Sequence, residues 1–216
     1  MVHASPQLPT GNVTTSPSPV LHMLRAATAT RHKSLEARLP LTHPELDQHT
    51  YARIIAAYYG FHVPLQRRIE AFLGPHGVDP ERQKIPALLK DLQALGLNQA
   101  QIDALPLCDK LPGLDAQAHL LGIMYVMEGA TLGGQVLRRI IAQRLSIDAD
   151  TGGEFLDVYG RDTGRLWKAF LKQLADFDHP EHNAQVIDAA CMTFACFEAW
   201  LDRAGVLKPG PMAASL

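Results

Sequence analysis

Cysteine is scarce in this chain, and the few cysteines are not arranged in pairs. Cys108, Cys191 and Cys196 are the three cysteines among the 216 residues, and none belongs to a C-x-x-C motif. An odd number of scattered cysteines argues against a disulfide framework and against a zinc cluster. The sequence therefore predicts a cytoplasmic protein, because a reducing compartment keeps such thiols free.

The chain also lacks a strong net charge of either sign and has no long apolar run. The formal net charge is −2 and the pI is near 6.5, which gives no broad electrostatic attraction for nucleic acid. The longest apolar runs are shorter than the roughly 20 residues that span a bilayer. We therefore expect neither nucleic acid nor a membrane as a partner.

Alternating strand patterns and internal repeats are missing as well, and what remains is helical. Apolar residues recur at a spacing of three or four in segments separated by Pro, Gly and Asp, which is typical of helices. The sequence predicts a single all-α domain, a multi-helix bundle, over residues 18–207. Residues 1–17 are rich in Pro, Ser and Thr, lack the apolar block of a secretory signal and are predicted to be a disordered tail. Residues 208–216 are predicted to be a second tail.

Capping residues, prolines and glycines predict where the helices begin and end. The first helix is expected to open at Ser18-Pro19 and to end at Leu39. A second helix opens near Asp47, with Pro64 as a bend or break. The remaining long helices are predicted to start near Pro86, Asp115, Thr163 and Pro180, with Gly205 closing the last.

His32 lies in the first helix between Thr28 and Leu35, where the apolar spacing continues. This register predicts that His32 points inward with the leucines, with Glu36 one turn later on the same side. A core histidine bonded to Glu36 or to a carbonyl is one interpretation. A metal ligand whose second ring nitrogen is oriented by Glu36 is the other. A single histidine suffices as the protein's ligand to haem iron, because the porphyrin supplies four nitrogens.

Glycine is concentrated in the longest predicted helix, where each interior glycine costs about 1 kcal/mol relative to alanine. Gly122, Gly129 and Gly133 lie on one side of this helix, and the Gly133-Gly134 pair predicts a kink. Close packing of helices would explain such a strip. A flat ligand that must approach the backbone would explain it too. Together with His32 on another helix, the strip suggests a haem held between two helices.

Two segments resemble the haem oxygenase family in its bacterial form, including the type often found beside bacterial phytochromes. "LRAATATRHKSLEARL" is similar to the segment that carries the proximal, iron-binding histidine, and "GIMYVMEGATLGGQVL" is similar to the distal helix. The similarity extends to "FLDVYGRDTGRLWKAFLKQL" and "CMTFACFEAWL". It thus covers most of residues 20–203, and "YVMEGATLGG" is its most specific string.

The resemblance implies roles for five residues around the iron. His32 corresponds to the proximal iron ligand, and Glu36 to the group that orients it. Gly129, Gly133 and Gly134 correspond to the distal backbone that lies over the haem and leaves space for dioxygen.

Three further residues correspond to groups near the haem propionates. Arg25, two turns before His32, matches a position where the family often has a cation, and Lys168 and Tyr125 are further candidates. Ordinary surface or interfacial placement is the alternative for all three. Ala130 departs from the family pattern, since many members carry an aspartate or serine there that organises distal water.

The resemblance further implies an oxygenase for which haem b is both cofactor and substrate. Dioxygen and external electrons would convert haem to biliverdin, carbon monoxide and ferrous iron. No flavin or nicotinamide fingerprint occurs, because the glycines lie in a helical pattern rather than in a strand-to-helix turn. Electrons are therefore expected from a ferredoxin, a flavodoxin or a reductase. A bacteriophytochrome that receives biliverdin is a further partner that the resemblance implies.

Other functions remain open at the level of sequence. A haem carrier or sensor would have the same pocket without ring cleavage, and Ala130 is compatible with it. A helical enzyme without haem, of the thiamin-degrading type, would share the architecture. A di-iron bundle lacks support because no Glu-x-x-His pair occurs on two helices.

Overall fold

The computed structural model describes residues 18–74, 77 and 79–209, and in this part of the chain the regular elements are all helical. The α-helices are α1 (Pro19–Arg38), α2 (Gln48–Leu73), α3 (Ile85–Ala94), α4 (Gln99–Asp103), α5 (Gln117–Leu145), α6 (Thr163–Asp176) and α7 (Pro180–Arg203). Short 3₁₀ turns and one π turn lie between them. The predicted all-α architecture is confirmed. The predicted tail over residues 1–17 and residues 210–216 of the second tail lie outside the described residues.

Local signals place the helix ends close to where the sequence predicts them. Pro19 is the first residue of α1, where its missing N–H costs no hydrogen bond. The Asp47 side chain accepts a hydrogen bond from the Thr50 N–H at 2.7 Å and caps α2. Gly205 follows α7 with φ of +64°, a conformation that favours glycine.

Pro64 lies inside α2 and does not break it, so of the two predicted outcomes, a bend or a break, the break is absent. Proline has no N–H and leaves the carbonyl of the residue four positions earlier, here Gly60, without its helical donor. The Cys108 N–H donates to the Gly60 carbonyl at 2.8 Å instead. The helix therefore continues, because a neighbouring loop supplies the missing hydrogen bond. Gly60 has no Cβ, which here would lie 2.5 Å from the Pro106 carbonyl oxygen.

The centre of the fold is the packing of α5 against α7. A Cβ on Gly122 would lie 2.3 Å from the Val186 carbonyl oxygen and 2.7 Å from the Ala189 Cβ, so glycine lets the two backbones approach. Around this contact the core includes Ile123, Leu121 and Ala190, all at most 2% exposed. Close helix packing therefore accounts for this member of the glycine strip.

The same two helices, α5 and α7, are long and apolar enough to cross a membrane by length and composition. Core helices of soluble proteins pass the same test, so this is a weak indication.

Near the C-terminal end of the described residues, Lys208 donates its N–H to the Arg38 carbonyl at 2.9 Å and accepts from the Arg38 Nε at 3.1 Å. Residue 208, assigned to the tail from sequence, is thus bonded to the end of α1.

Candidate functional site

Helix α1 and the turn that follows it, Pro40–Thr42, run alongside α5 in the same direction and contact it at two levels. The Tyr125 hydroxyl lies 3.5 Å from the Thr28 Oγ1 at one end. The Arg144 guanidinium donates to the Thr42 carbonyl at the other. His32 is one turn beyond Thr28, about 6 Å along α1. Gly129 and Gly133 follow Tyr125 by one and two turns, so both key segments lie between the two contacts.

His32 is on the rim of this region and not in the core. Leu24, Thr28 and Leu35 of α1 are buried, as predicted, but the His32 side chain is 55% exposed. Its ring lies 5.8 Å from that of Phe194 on α7, edge to face. The prediction that it points inward with the leucines is therefore wrong, since the apolar stripe of α1 turns onto α7 at this level and leaves the imidazole beside it.

Glu36 is positioned to orient the imidazole. Its Oε1 lies 3.4 Å from the His32 Nε2, one helical turn away. The second ring nitrogen has no hydrogen-bond partner among the described residues. A neutral imidazole with one nitrogen held by a carboxylate can bind a metal through the other. Rotating the ring by 180 degrees would turn the other nitrogen towards Glu36, so either nitrogen can take this position.

The three glycines of the predicted distal segment have different surroundings. A Cβ on Gly133 would meet no described atom within 4 Å, and one on Gly129 would reach only the Trp167 ring, 3.8 Å away. A Cβ on Gly134 would lie 1.9 Å from the Leu156 carbonyl oxygen. Gly129 and Gly133 thus present open backbone, whereas Gly134 allows α5 to pack against the following loop.

Apolar side chains surround the open backbone. Leu132 and Val136 flank Gly133 and are 43% and 60% exposed. Trp167 of α6 lies beside Gly129, with its ring centroid 6.3 Å from that of Tyr125. Exposed apolar groups next to bare backbone are typical of a surface that binds an apolar ligand. The sequence interpretation missed Leu132, Val136 and Trp167 as site residues, although apolar residues beside the glycines were a visible signal.

The three candidate propionate partners differ in their contacts. Arg25 and Lys168 are exposed and form no ion pair within the described ranges. Tyr125 is half-buried, and its hydroxyl is close to Thr28. Because the Thr28 hydroxyl already donates to the Leu24 carbonyl at 2.7 Å, the Tyr125 hydroxyl is the donor to Thr28. Two solvated cations and one tethered phenol therefore lie on helices that border the site.

A buried charge cluster holds α5 immediately before Gly129. Glu128 is 3% exposed, and its Oε1 accepts from the Lys84 Nζ at 2.7 Å and from the Tyr159 hydroxyl at 3.0 Å. Arg82 donates to the other carboxylate oxygen and to the Leu166 carbonyl at 3.1 Å. Burial lowers the pKa of Lys84, which the Glu128 charge opposes. The cluster ties α5 to the segments before α3 and α6.

Comparison with known proteins shows to which family the chain belongs. The profile of the Heme oxygenase family matches residues 18–203. The chain belongs to the haem oxygenase family. A protein named heme oxygenase from Xanthomonas campestris pv. campestris is 31% identical over 103 residues, which are 46% of this chain and 57% of that relative. The alignment thus spans little more than half of the curated relative.

Solved haem oxygenase structures share the fold at low sequence identity. The heme oxygenase of Neisseria meningitidis, solved with NO and CO bound, is 22% identical, with a TM-score of 0.68 over 91% of this chain and 98% of that one. The enzyme of Leptospira interrogans is 19% identical, with a TM-score of 0.64 over 85% and 98%. Heme oxygenase-1 of Synechocystis, solved with heme, is 14% identical, with a TM-score of 0.65 over 85% and 91%.

The side chains present suit a porphyrin with one histidine ligand. An exposed imidazole with one nitrogen unpaired among the described residues lies on one helix, and bare backbone with apolar neighbours lies on the helix beside it. A Cβ or a larger side chain at Gly133 would fill the space that remains open there. The residues of the chain therefore fit the group that the family binds.

Proposed function

We propose that this protein is a haem oxygenase that binds haem between α1 and α5 and opens its ring to give biliverdin, carbon monoxide and ferrous iron. The observation that carries the proposal is the pairing of one half-exposed imidazole, His32, with the open backbone at Gly133. Family membership over residues 18–203 supports it. Bound haem supplies the iron that activates dioxygen and the macrocycle that is cleaved.

The side chains around the proposed site would hold the haem, orient its iron ligand and shield its edge from water. His32 would hold the iron through one ring nitrogen, and Glu36 would accept the N–H of the other and orient the ring. Gly129 and Gly133 let the flat haem macrocycle approach the α5 backbone, while Leu132 and Val136 exclude water from the edge of the macrocycle. Arg25 and Lys168 are cations available to the propionates, and Tyr125 closes one end of the slot.

The two residues that follow Gly129 on α5 do not offer a side chain that could deliver protons to the haem site. Ala130 has no donor, and the Thr131 hydroxyl donates to the Glu128 carbonyl at 2.7 Å. Water that enters along the exposed side of Gly133 is therefore the proton carrier that we propose. Water can bridge polar groups nearly as well as a direct hydrogen bond.

The proposal also covers the partners and the location. Electrons come from a separate ferredoxin, flavodoxin or reductase, and a bacteriophytochrome is a candidate receiver of biliverdin. A cytoplasmic location is supported by the three cysteines, all of which are free thiols in the structure.

Turnover separates an oxygenase from a haem carrier or sensor. Purified protein is loaded with one equivalent of hemin and supplied with air and ascorbate, with catalase present to remove free peroxide. An oxygenase loses its Soret band and yields extractable biliverdin and carbon monoxide. Recovery of unchanged ferric haem would contradict the proposal and indicate a carrier. The same extraction, with chromatography against the four biliverdin isomers, identifies the carbon that is attacked.

A further inference from the structure

A cavity lies on the opposite face of α5 from Gly129 and Gly133. It measures about 500 Å³, within the range of small-molecule sites. Leu65 and Ile69 of α2, Leu120 and Met124 of α5, and Phe177 after α6 form its apolar wall. At about 100 degrees per residue, the two α5 residues point roughly 140 to 180 degrees away from Gly129. The cavity is therefore separate from the slot beside His32.

His62 is a polar side chain buried in the wall of this cavity. It is 9% exposed and has no hydrogen-bond partner among the described residues, although its ring packs against Phe155 at 5.2 Å. Burial, together with the charge of Lys84, lowers the pKa of His62 to about 3. The imidazole is therefore neutral and presents one N–H donor and one acceptor nitrogen. A ligand that enters the cavity can therefore exchange hydrogen bonds with it.

Lys84 supplies a second polar group to the same wall. Its Nζ bonds to Glu128 at 2.7 Å and to Tyr159 at 2.6 Å, which uses two of its three N–H donors among the described contacts. It also lines the cavity. A ligand atom that both accepts and donates a hydrogen bond would satisfy Lys84 and His62 together.

The charges around the cavity favour a neutral ligand. Four carboxylates line it, of Glu70, Asp79, Glu128 and Asp176, against the two cations of Arg82 and Lys84. With His62 neutral, an organic anion would meet a lining with an excess of negative charge. A cation at the inner wall would be repelled by the Lys84 ammonium and would also lose its hydration shell, which is costly.

We propose that this cavity binds an uncharged, largely apolar molecule that carries one hydroxyl group, which accepts from the Lys84 ammonium and pairs with the His62 imidazole. The apolar body lies along Leu65, Ile69, Leu120, Met124 and Phe177. This site is additional to the haem site and does not depend on ring cleavage.

The test compares three small probes that differ in one property each. 4-Propylphenol is neutral with a hydroxyl, propylbenzene lacks the hydroxyl, and octanoate is an anion. Binding to the full chain is measured by saturation-transfer NMR, with and without zinc protoporphyrin, which occupies the haem slot while keeping the sample diamagnetic. We expect 4-propylphenol to bind in both states, about fivefold more tightly than propylbenzene, as for the loss of one hydrogen bond. Octanoate should bind least.

Three variants locate the site. Ile69→Trp fills the cavity and should abolish binding of 4-propylphenol, whereas Ala71→Trp, an exposed position on the same helix outside the cavity, should leave it unchanged. His62→Phe keeps the ring shape and should weaken 4-propylphenol about fivefold while sparing propylbenzene. Circular dichroism melting confirms that each variant is folded.

Several results would overturn the proposal. They are the absence of binding by 4-propylphenol, binding that survives Ile69→Trp in folded protein, and a preference for octanoate. Equal loss of both aromatic probes in His62→Phe would overturn the assignment of the hydroxyl to His62. Loss of binding only when porphyrin is present would place the probe in the haem slot and would equally overturn it. A failure to take up porphyrin would count against the proposed haem oxygenase function alone, because the unloaded protein still reports on the cavity.

Discussion

At the scale of single residues, the account depends on His32 being accessible. A histidine buried with the leucines of α1 would be a packing residue, and the sequence register predicts that position. The structure places it on the rim with its side chain 55% exposed and 3.4 Å from Glu36. Exposure beside an oriented carboxylate favours ligand binding over core packing.

Replacing His32 by alanine should remove the protein's ligand to the iron without unfolding α1, because the side chain is not part of the core. We expect the histidine-ligated absorption spectrum and biliverdin formation to be lost, and added imidazole to restore the spectrum. His22→Ala is the matched control, since His22 is an exposed histidine on the same helix. A wild-type spectrum and wild-type turnover in His32→Ala would refute the assignment.

Glu128 is a second residue whose replacement has a defined outcome. Glu128→Gln leaves the buried Lys84 and Arg82 with less counter-charge, and breaking a buried pair by removing one partner costs about 3–5 kcal/mol. Urea unfolding should show this loss of stability. The double variant Glu128→Leu with Lys84→Met should lose less, because no uncompensated charge of that pair remains. If the loss in the double variant equals the sum of the losses in Glu128→Leu and Lys84→Met made singly, the pair does not act as a unit.

At the scale of elements, α5 has different tasks along its length. Gly122 lets it pack on α7, Gly134 lets it pack on the loop at Leu156, and only Gly129 and Gly133 between them are open. The helix continues without a break through the glycine pair, and the kink that the sequence predicts there stays a prediction. The proposed haem site thus lies at the part of α5 where an added Cβ would meet no described atom closer than the Trp167 ring.

This division predicts opposite stability effects at adjacent glycines. Gly133→Ala should be tolerated or should raise stability by up to about 1 kcal/mol, because alanine favours the helix and the space is open. Gly134→Ala should destabilise by about 1–3 kcal/mol, because its Cβ would collide with the Leu156 carbonyl. Denaturant unfolding measures both. Similar losses for the two variants would contradict the assignment of the open face.

A bulky residue at Gly133 tests the functional half of the same assignment. Gly133→Leu should fold but should obstruct the distal side, so that turnover falls more than hemin uptake. Hemin titration and the rate of biliverdin formation check this. Unchanged turnover would remove the steric role of the α5 backbone.

Helix ends were predictable from sequence, whereas the residues that contact each helix from distant parts of the chain were not. Proline at the first position of α1 and aspartate before α2 act locally, so a single sequence reveals them. The absence of a break at Pro64 could not be predicted, because the hydrogen bond that replaces the lost one comes from Cys108, 44 positions away in the chain. The Lys84–Glu128 pair is equally distant in sequence. One local clue to it was present, since Glu128 is a lone charge within the apolar run "GIMYVMEGA".

At the scale of the whole molecule, two separate regions lie on opposite faces of α5. One is the proposed haem site beside His32. The other is the cavity beside the buried imidazole of His62.

His62 should make the fold sensitive to acid. Its pKa is lowered to about 3 in the folded protein, against about 6.5 in an unfolded chain. The unfolded state therefore binds an extra proton between these values, and stability is lost as the pH falls, by up to about 1.4 kcal/mol per pH unit. Relative to wild type, His62→Phe should lose less stability between pH 6.5 and pH 4 in melting experiments. Parallel pH profiles would contradict the burial of a neutral imidazole.

The most direct test of the central claim is a crystal structure of the hemin complex. We predict that a His32 ring nitrogen binds the iron and that the opposite face of the macrocycle lies against the α5 backbone from Gly129 to Gly133. Iron bound by another residue, or a porphyrin seated in the cavity beside His62, would contradict the account.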